Sequence, residues 1–207
     1  MILCVDSSGL GVRLCLTNSQ GRDAAVVSAE LKSELSRDMS RLYAMLQEQA
    51  GFSGTKGVEL IIAGSGPGAF IGTRVALSFV NGLAAASGIP MRMLDSLAAL
   101  RLSVDDPEAV AVRDARRGQY YLNDAEGSRL LDTEGLRALV STASHIVSDA
   151  IPVLLQEDRS LIRLQDELAL CPGRLSWLTH PGSAAMLAAA SADQVEFVEP
   201  VYLRGFL

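Results

Sequence analysis

Histidine is scarce in this chain, with only His145 and His180 in 207 residues. They lie far apart and make no H-x-x-x-H spacing, which excludes a helical two-histidine metal site. The three cysteines, Cys4, Cys15 and Cys171, are odd in number and scattered, which fits neither a disulfide framework nor a zinc cluster. Cys4 and Cys15 fall inside strand patterns and read as core thiols. No uninterrupted apolar run reaches the ~18 residues of a bilayer span, because Ser78, Asn81 and Ser87 break the longest candidate. Positive charge is also thin: 18 Lys+Arg against 24 Asp+Glu give a net charge of −6. The densest basic cluster, Arg113, Arg116 and Arg117, is too small to neutralise a nucleic-acid backbone unaided, so any nucleic acid would be gripped by another chain. The first residues run straight into a strand without a basic stretch or cleavage site. The expectation is a cytoplasmic protein with no signal peptide and no membrane association.

What is present is globular. Apolar residues make up 49% and charged residues 20% of the chain, and the length allows one large domain or two small ones. Residues 1–30 read as a strand meander, with Val12, Leu14 and Leu16 alternating with more polar neighbours. A helix is expected over 33–50, where Leu35, Met39, Leu42, Tyr43, Leu46 and Ala50 recur at helical spacing and Gly51 supplies a stop. A strand over 58–63 leads into Gly64-Ser65-Gly66-Pro67-Gly68. A helix over 72–87, a strand over 91–94 and a short helix over 96–102 follow. Asp105-Asp106-Pro107-Glu108 is the clearest linker, placing the boundary between domains 1–104 and 105–207. The second half reads as a strand over 110–112, a turn at Arg116-Arg117-Gly118, a return strand over 119–123 and a helix over 136–140. Strands over 146–147 and 153–155 and an Ala-rich helix over 183–192 complete it. This alternation argues for two α/β lobes around a cleft; no sequence repeat proves a duplication.

Three constellations could carry chemistry. Asp6-Ser7-Ser8-Gly9 at a strand end suits a metal-bound nucleotide or an ordinary Asx turn. The run from Gly66 through Gly68 and Gly72 to Arg74 places a rigid loop before a helix, whose free amides suit an anion. The same glycines serve equally as backbone constraints, and neither the P-loop nor the dinucleotide spacing is matched. Asp114-Ala115-Arg116-Arg117-Gly118-Gln119-Tyr120-Tyr121 lines a cleft or forms a charged hairpin tip. No Ser-His-Asp or Cys-His arrangement is suggested, and no general base stands out, so no catalytic residue and no metal ligand is expected.

The stretch Ala63-Gly64-Ser65-Gly66-Pro67-Gly68-Ala69-Phe70-Ile71-Gly72-Thr73-Arg74, with Asn81-Gly82-Leu83-Ala84 and Ile89-Pro90 beyond it, resembles the G-P-G-S-F-T-G-x-R signature of the TsaB (YeaZ) family. These are tRNA threonylcarbamoyladenosine biosynthesis proteins. The opening Asp6-Ser7-Ser8, the Asp114–Tyr121 stretch (family D-A-R-x-G-E-x-Y) and the tail Glu199-Pro200-Val201-Tyr202-Leu203-Arg204 match in the same order. The resemblance implies a reduced ASKHA fold, the actin/Hsp70/sugar-kinase architecture, with two lobes that are each a mixed sheet with flanking helices. It implies a non-catalytic accessory subunit that binds and stabilises a TsaD-like threonylcarbamoyl transferase, with a TsaE-like ATPase as a further partner and tRNA reached only through the complex.

Under that resemblance the partner packs on the two first-lobe helices, through Met39, Tyr43, Leu46, Leu77, Val80 and Ala84; Tyr43 and Met45 on the first helix and Leu77 and Val80 on the second are an apolar surplus beyond one buried stripe, unless the helices tuck deeper into their own lobe. The same face would form a homodimer when the chain is alone. No nucleotide is expected to be held tightly. ATP at the partner interface would meet Asp6, Ser7, Gly66, Gly68 and Gly72. The alternative is a small ATPase or phosphotransferase of the same fold, using Asp6 and the two loops. The sequence departs from the family at Ala69 and Ile71, where Ser and Thr are usual, at Lys32-Ser33-Glu34, which lacks the usual His, and over 122–171, which matches poorly.

Overall fold

A computed structural model describes residues 1–30, 38–149 and 159–203, with 159–161 described by backbone alone. The chain opens with an antiparallel meander, β1 (Ile2–Asp6), β2 (Gly11–Thr17) and β3 (Asp23–Glu30). Helix α1 (Met39–Ala50), β4 (Leu60–Gly66), α2 (Phe70–Ser87), β5 (Met91–Asp95) and α3 (Ser96–Arg101) follow. Strand β4 runs parallel to β1, and β5 parallel to β4. A second meander, β6 (Val110–Asp114), β7 (Gln119–Asp124) and β8 (Gly127–Asp132), precedes α4 (Thr133–Thr142), β9 (His145–Ser148), α5 (Arg159–Leu168), β10 (Arg174–Trp177) and α6 (Ser183–Ala189). Here β9 is parallel to β6 and β10 parallel to β9. The last strand, β11 (Ala190–Val195), returns to pair antiparallel with β5 at the edge of the first sheet.

The two sheets are copies of one plan. Without β11 the first has the order β5-β4-β1-β2-β3 and the second β10-β9-β6-β7-β8, with the same parallel and antiparallel neighbours. A duplication that the sequence does not display is therefore plain in the topology.

Strand alternation divides the first sheet's faces. Leu3, Val5, Leu14, Leu16, Ile61 and Ala63 face α1 and α2, whereas Cys4, Cys15, Ile62 and Leu94 point to the side of α3 and α6. Helix α3 also buries Leu97 and Leu100 against Ala109, Ala111 and Val147, so it lies between the two sheets. The outer face of the second sheet carries Leu136, Val140, Leu164 and Leu168 of α4 and α5 over Val112, Leu122 and Ile146.

Side chains at the ends set several helix boundaries. Asp38 accepts from the Arg41 amide at 2.9 Å and starts α1, while Gly51, at φ 70°, ends it. The expected start at 33 is thus moved to Met39, and residues 33–37 lie outside the described residues. Asp95 caps α3 by accepting from the amides of Leu97 and Ala98, both at 2.9 Å. The helix expected over 183–192 stops at Ala189, because Ala190 onward pairs with β5. The strand expected over 153–155 lies outside the described residues. Strands β8, β10 and β11 and helix α5 had no counterpart in the sequence reading.

Helix α2 is, among the described residues, the one helix long and apolar enough to cross a membrane, with a mean hydropathy of 1.2. Here it packs along β4 and β1. Only a third of it is buried inside the chain.

Candidate functional site

A cleft of about 620 Å³ lies between the lobes. Ser8 and Gly9 of the β1–β2 turn, the Gly68–Thr73 stretch, Asp114 to Arg116 of the β6–β7 hairpin, and Pro200, Val201 and Tyr202 of the tail all line it. The four ordered motifs of the sequence therefore meet in one place.

The loop is fastened to the turn through backbone. The Ala69 amide donates to the Ser8 carbonyl at 2.6 Å. A Cβ on Gly68 would collide with that same Ser8 backbone, so glycine here permits a close approach of two chain segments. Gly66 adopts φ 100°, a left-handed conformation that glycine supplies without a side-chain penalty. Gly68 and Gly72 border the cleft, whereas Gly66 is not among its lining residues.

Asp6 and Ser7 lie beneath the cleft floor, 2% and 1% exposed. The Asp6 carboxylate accepts from Ser96 Oγ at 2.7 Å and from Ser8 Oγ at 3.1 Å, so its bonds go to the turn and to α3. Ser7 Oγ finds no partner among the described residues.

Arg113 is the residue that the sequence reading missed. Counted there only as part of a surface basic cluster, it is 5% exposed on β6. Its Nε donates to Asp149 Oδ2 at 2.8 Å, and its Nη1 donates to Ser8 Oγ and to the Pro67 carbonyl, both at 2.9 Å. One guanidinium thus ties the second sheet to both loops of the first lobe. Burial pushes the Asp149 carboxyl above its ordinary range, and the Arg113 charge pulls it partly back. A Cβ on Gly9 would meet Asp149 and Arg113, which explains the small residue there. His180 stands against Gly11 on the other side of the turn. Burial lowers its basicity, opposed by the Asp6 carboxylate.

At the cleft rim the hairpin turn holds Arg116 at φ 68° and Arg117 at φ 57°, a conformation uncommon for residues with a Cβ. Asp114 stabilises it by accepting from the Arg116 amide at 3.1 Å and pairing with Arg116 Nε at 3.3 Å. On the opposite rim Arg74 stacks over Phe70, 3.8 Å from the ring centroid, and its Nε donates to Tyr202 Oη at 2.8 Å. The tail that brings Tyr202 there is held by Asn81. Its side chain accepts from the Val198 amide at 2.9 Å and donates to the Val198 carbonyl at 3.0 Å.

Two expectations need correction. Met39, Tyr43, Leu46, Leu77, Val80 and Ala84, taken as partner-facing, are all buried in the chain's own first-lobe core. Helices α1 and α2 pack on the sheet and on each other, with Tyr43 edge-on to Phe79 at 5.6 Å, and these six are the inward stripe. The outward side of α2 instead presents Ser78, Gly82, Ala85 and Ala86 as exposed residues, flanked by the half-buried Val75, Phe79 and Leu83. The second correction concerns a Ser-His-Asp line, which is present. His145 Nδ1 meets Asp106 Oδ2 at 2.8 Å and its Nε2 meets Ser176 Oγ at 2.8 Å. This line does not open on the interlobe cleft. It fastens the inter-lobe linker to β9 and β10. Among the described residues no three metal-ligating side chains gather.

No curated protein matches the chain. Among solved structures, one described as an uncharacterized protein with similarity to peptidase YEAZ, from Pseudomonas aeruginosa, shares 22% identity at a TM-score of 0.72, covering 98% of this chain and 99% of that one. A second, YeaZ from Pseudomonas aeruginosa, matches at TM-score 0.68, 22% identity and the same coverage. Component A of the (R)-2-hydroxyglutaryl-CoA dehydratase of Acidaminococcus fermentans follows at TM-score 0.50 and 9% identity, covering 91% of this chain and 95% of that one. At these identities the likeness is one of fold, the two-lobed ASKHA architecture in reduced form. The family model described as TsaD, tRNA N6-adenosine threonylcarbamoyltransferase, matches residues 26–158. That match takes in more than half of the sequence, and the chain belongs to this family of tRNA-modification proteins.

Proposed function

We propose that this chain is a non-catalytic accessory subunit of TsaB type, which binds and stabilises a TsaD-like threonylcarbamoyl transferase in the cytoplasm. A TsaE-like ATPase is a further partner in this reading, and tRNA is met only through the complex. The observation that carries it is α2. Its 18 residues include one charge, Arg74, and only a third of them are fully buried in their own lobe. An outward side of Ser78, Gly82, Ala85 and Ala86 suits close helix–helix approach, because small residues allow backbones to come near. In the absence of a partner the same face joins two copies of the chain.

The phosphotransferase reading has less to stand on. Asp6 is covered and hydrogen-bonded within the lobe, and Arg113 already takes Ser8 Oγ and the Pro67 carbonyl. We therefore propose that no nucleotide binds tightly to this chain alone, with ATP held only where the partner completes a site over Gly68 and Gly72.

Gly82→Glu tests the interface. Nothing lies within 4 Å of a Cβ built at Gly82, so the side chain projects outward without disturbing the fold. The variant should keep its melting temperature, fail to co-purify with a TsaD-like partner and lower the mass of the free protein in light scattering. Undiminished co-purification would refute the interface. Submicromolar ATP affinity with turnover by the isolated chain would favour the phosphotransferase.

A further inference from the structure

Cys4 on β1 and Cys15 on β2 face each other in register across the first sheet. Direct antiparallel partners have Cα atoms about 4.5–5.5 Å apart, inside the 4.4–6.8 Å range that a disulfide spans. Both are free thiols, and both are completely buried. Ser183 Oγ donates to the Cys15 sulfur at 3.1 Å, and the Cys4 thiol stands opposite it in the register. The neighbouring Cys4 thiol and, beside it, the Ser183 hydroxyl favour a thiolate on Cys15 against the effect of burial, so the Cys15 thiol is pulled below its ordinary range while that of Cys4 is pushed up.

We propose that Cys4 and Cys15 form an oxidation site, at which a hydroperoxide converts the two thiols into a cross-strand disulfide. The Cys15 thiolate attacks the peroxide, breaking the O–O bond. It becomes a sulfenic acid, and the departing hydroxide takes the proton that Cys15 has given up, forming water. Cys4 sulfur then attacks the sulfenic sulfur, the S–O bond breaks, and the second hydroxide leaves as water with the Cys4 proton. Two sulfurs lose two electrons in total, and one peroxide is reduced to two waters.

The route in is α6. This helix supplies Ser183 and also Met186, which packs on the two sulfurs' own cluster. In this proposal a local opening of this seven-residue helix, which covers the two sulfurs, admits a molecule of peroxide size. The bond would staple the two strands that carry the Asp6–Gly9 turn into the cleft. None of this depends on the accessory-subunit reading.

The test uses the Cys171→Ser protein, which removes the third, half-buried thiol. The folded protein is treated with hydrogen peroxide, quenched with catalase, unfolded in N-ethylmaleimide and digested for mass spectrometry. Both thiols should disappear together into a Cys4–Cys15 peptide pair lighter by two hydrogens, with alkylation restored by dithiothreitol. Adding Cys4→Ser should halt the reaction at a Cys15 sulfenic acid that dimedone traps. Two fully alkylatable thiols after exposed methionines have been oxidised would overturn the proposal. So would separate conversion of the two cysteines to sulfinic acids, or disulfides only between molecules.

Discussion

Replacing Arg113 with Met removes the buried cation that joins β6 to both loops of the first lobe, while preserving most of the apolar volume. It leaves Asp149, whose side chain is 2% exposed, as a buried carboxylate without its partner, and it frees Ser8 Oγ and the Pro67 carbonyl. Breaking a buried pair in this way costs about 3–5 kcal/mol. For a chain of this size each kcal/mol is worth about 2–4 °C, so the midpoint should drop by roughly 6–20 °C. The loss should also depend on pH. Burial already raises the Asp149 pKa, and removing Arg113 takes away the main opposition to that push. A carboxyl whose folded pKa lies above its unfolded one weakens the fold as pH rises through that interval and is harmless below it. The gap between variant and parent should therefore be widest at pH 7 and narrow towards the carboxylate range. Urea melts at neutral and mildly acidic pH measure this, beside Arg113→Met/Asp149→Leu, which removes both charges and should recover most of the loss. A single variant costing under ~1 kcal/mol, or a double variant no more stable than the single, would show that the pair does not hold the lobes.

Four further outcomes follow from the same geometry. Asn81→Leu strips both backbone groups of Val198 of their buried partner, at about 1–3 kcal/mol for each group left unpaired. The tail wall of the cleft, seen as protease resistance near Pro200, should loosen with it. Val80→Glu should unfold the protein, since Val80 is fully buried; a folded Val80→Glu protein would contradict the inward stripe. Gly68→Ala should destabilise through its clash with Ser8, measured by thermal melts, whereas Gly82→Ala, in open space, should be neutral or slightly stabilising. Hydrogen bonds from Arg129 and Arg137 hold the carboxyls of Asp124 and Glu167 below their ordinary range. Their contribution is present at neutral pH and is lost as pH falls through those lowered values, which carboxyl NMR titration can follow.

The strands of the first lobe are legible in the sequence because they are short apolar runs, buried on both faces in β1, β2 and β4, with turn residues between them. The second lobe is less so. Strand β8 reads Gly127-Ser128-Arg129-Leu130-Leu131-Asp132, with no fully buried position along it, so nothing in its pattern announces a strand. Helix α5 follows a stretch that offered no clear periodicity to read. The cleft was legible as four separate motifs, yet the side chain that joins them was not. Arg113 looks like one more arginine in a basic hairpin. Its burial depends on Asp149, a residue 36 positions away that no local pattern connects to it. His145 escaped for the same reason, since Asp106 and Ser176 reach it only once β9 and β10 are paired.

The misplaced interface residues show how helical periodicity can mislead about partners. Apolar side chains at i, i+3 and i+4 mark the side of a helix that its own sheet covers, and Leu77, Val80 and Ala84 sit there. A surface meant for another helix is better advertised by what is small. Gly82, Ala85 and Ala86 would be weak core residues, and a helix bearing a solvated face has charged alternatives available at those positions. Their occurrence on the outward side of a helix with a single charge is a cost in solubility that the lobe's own packing does not offset. Docking of a second helix against that side would offset it. In the proposed complex Leu77 and Val80 would hold α2 in position, and the small residues would set how near the partner can come.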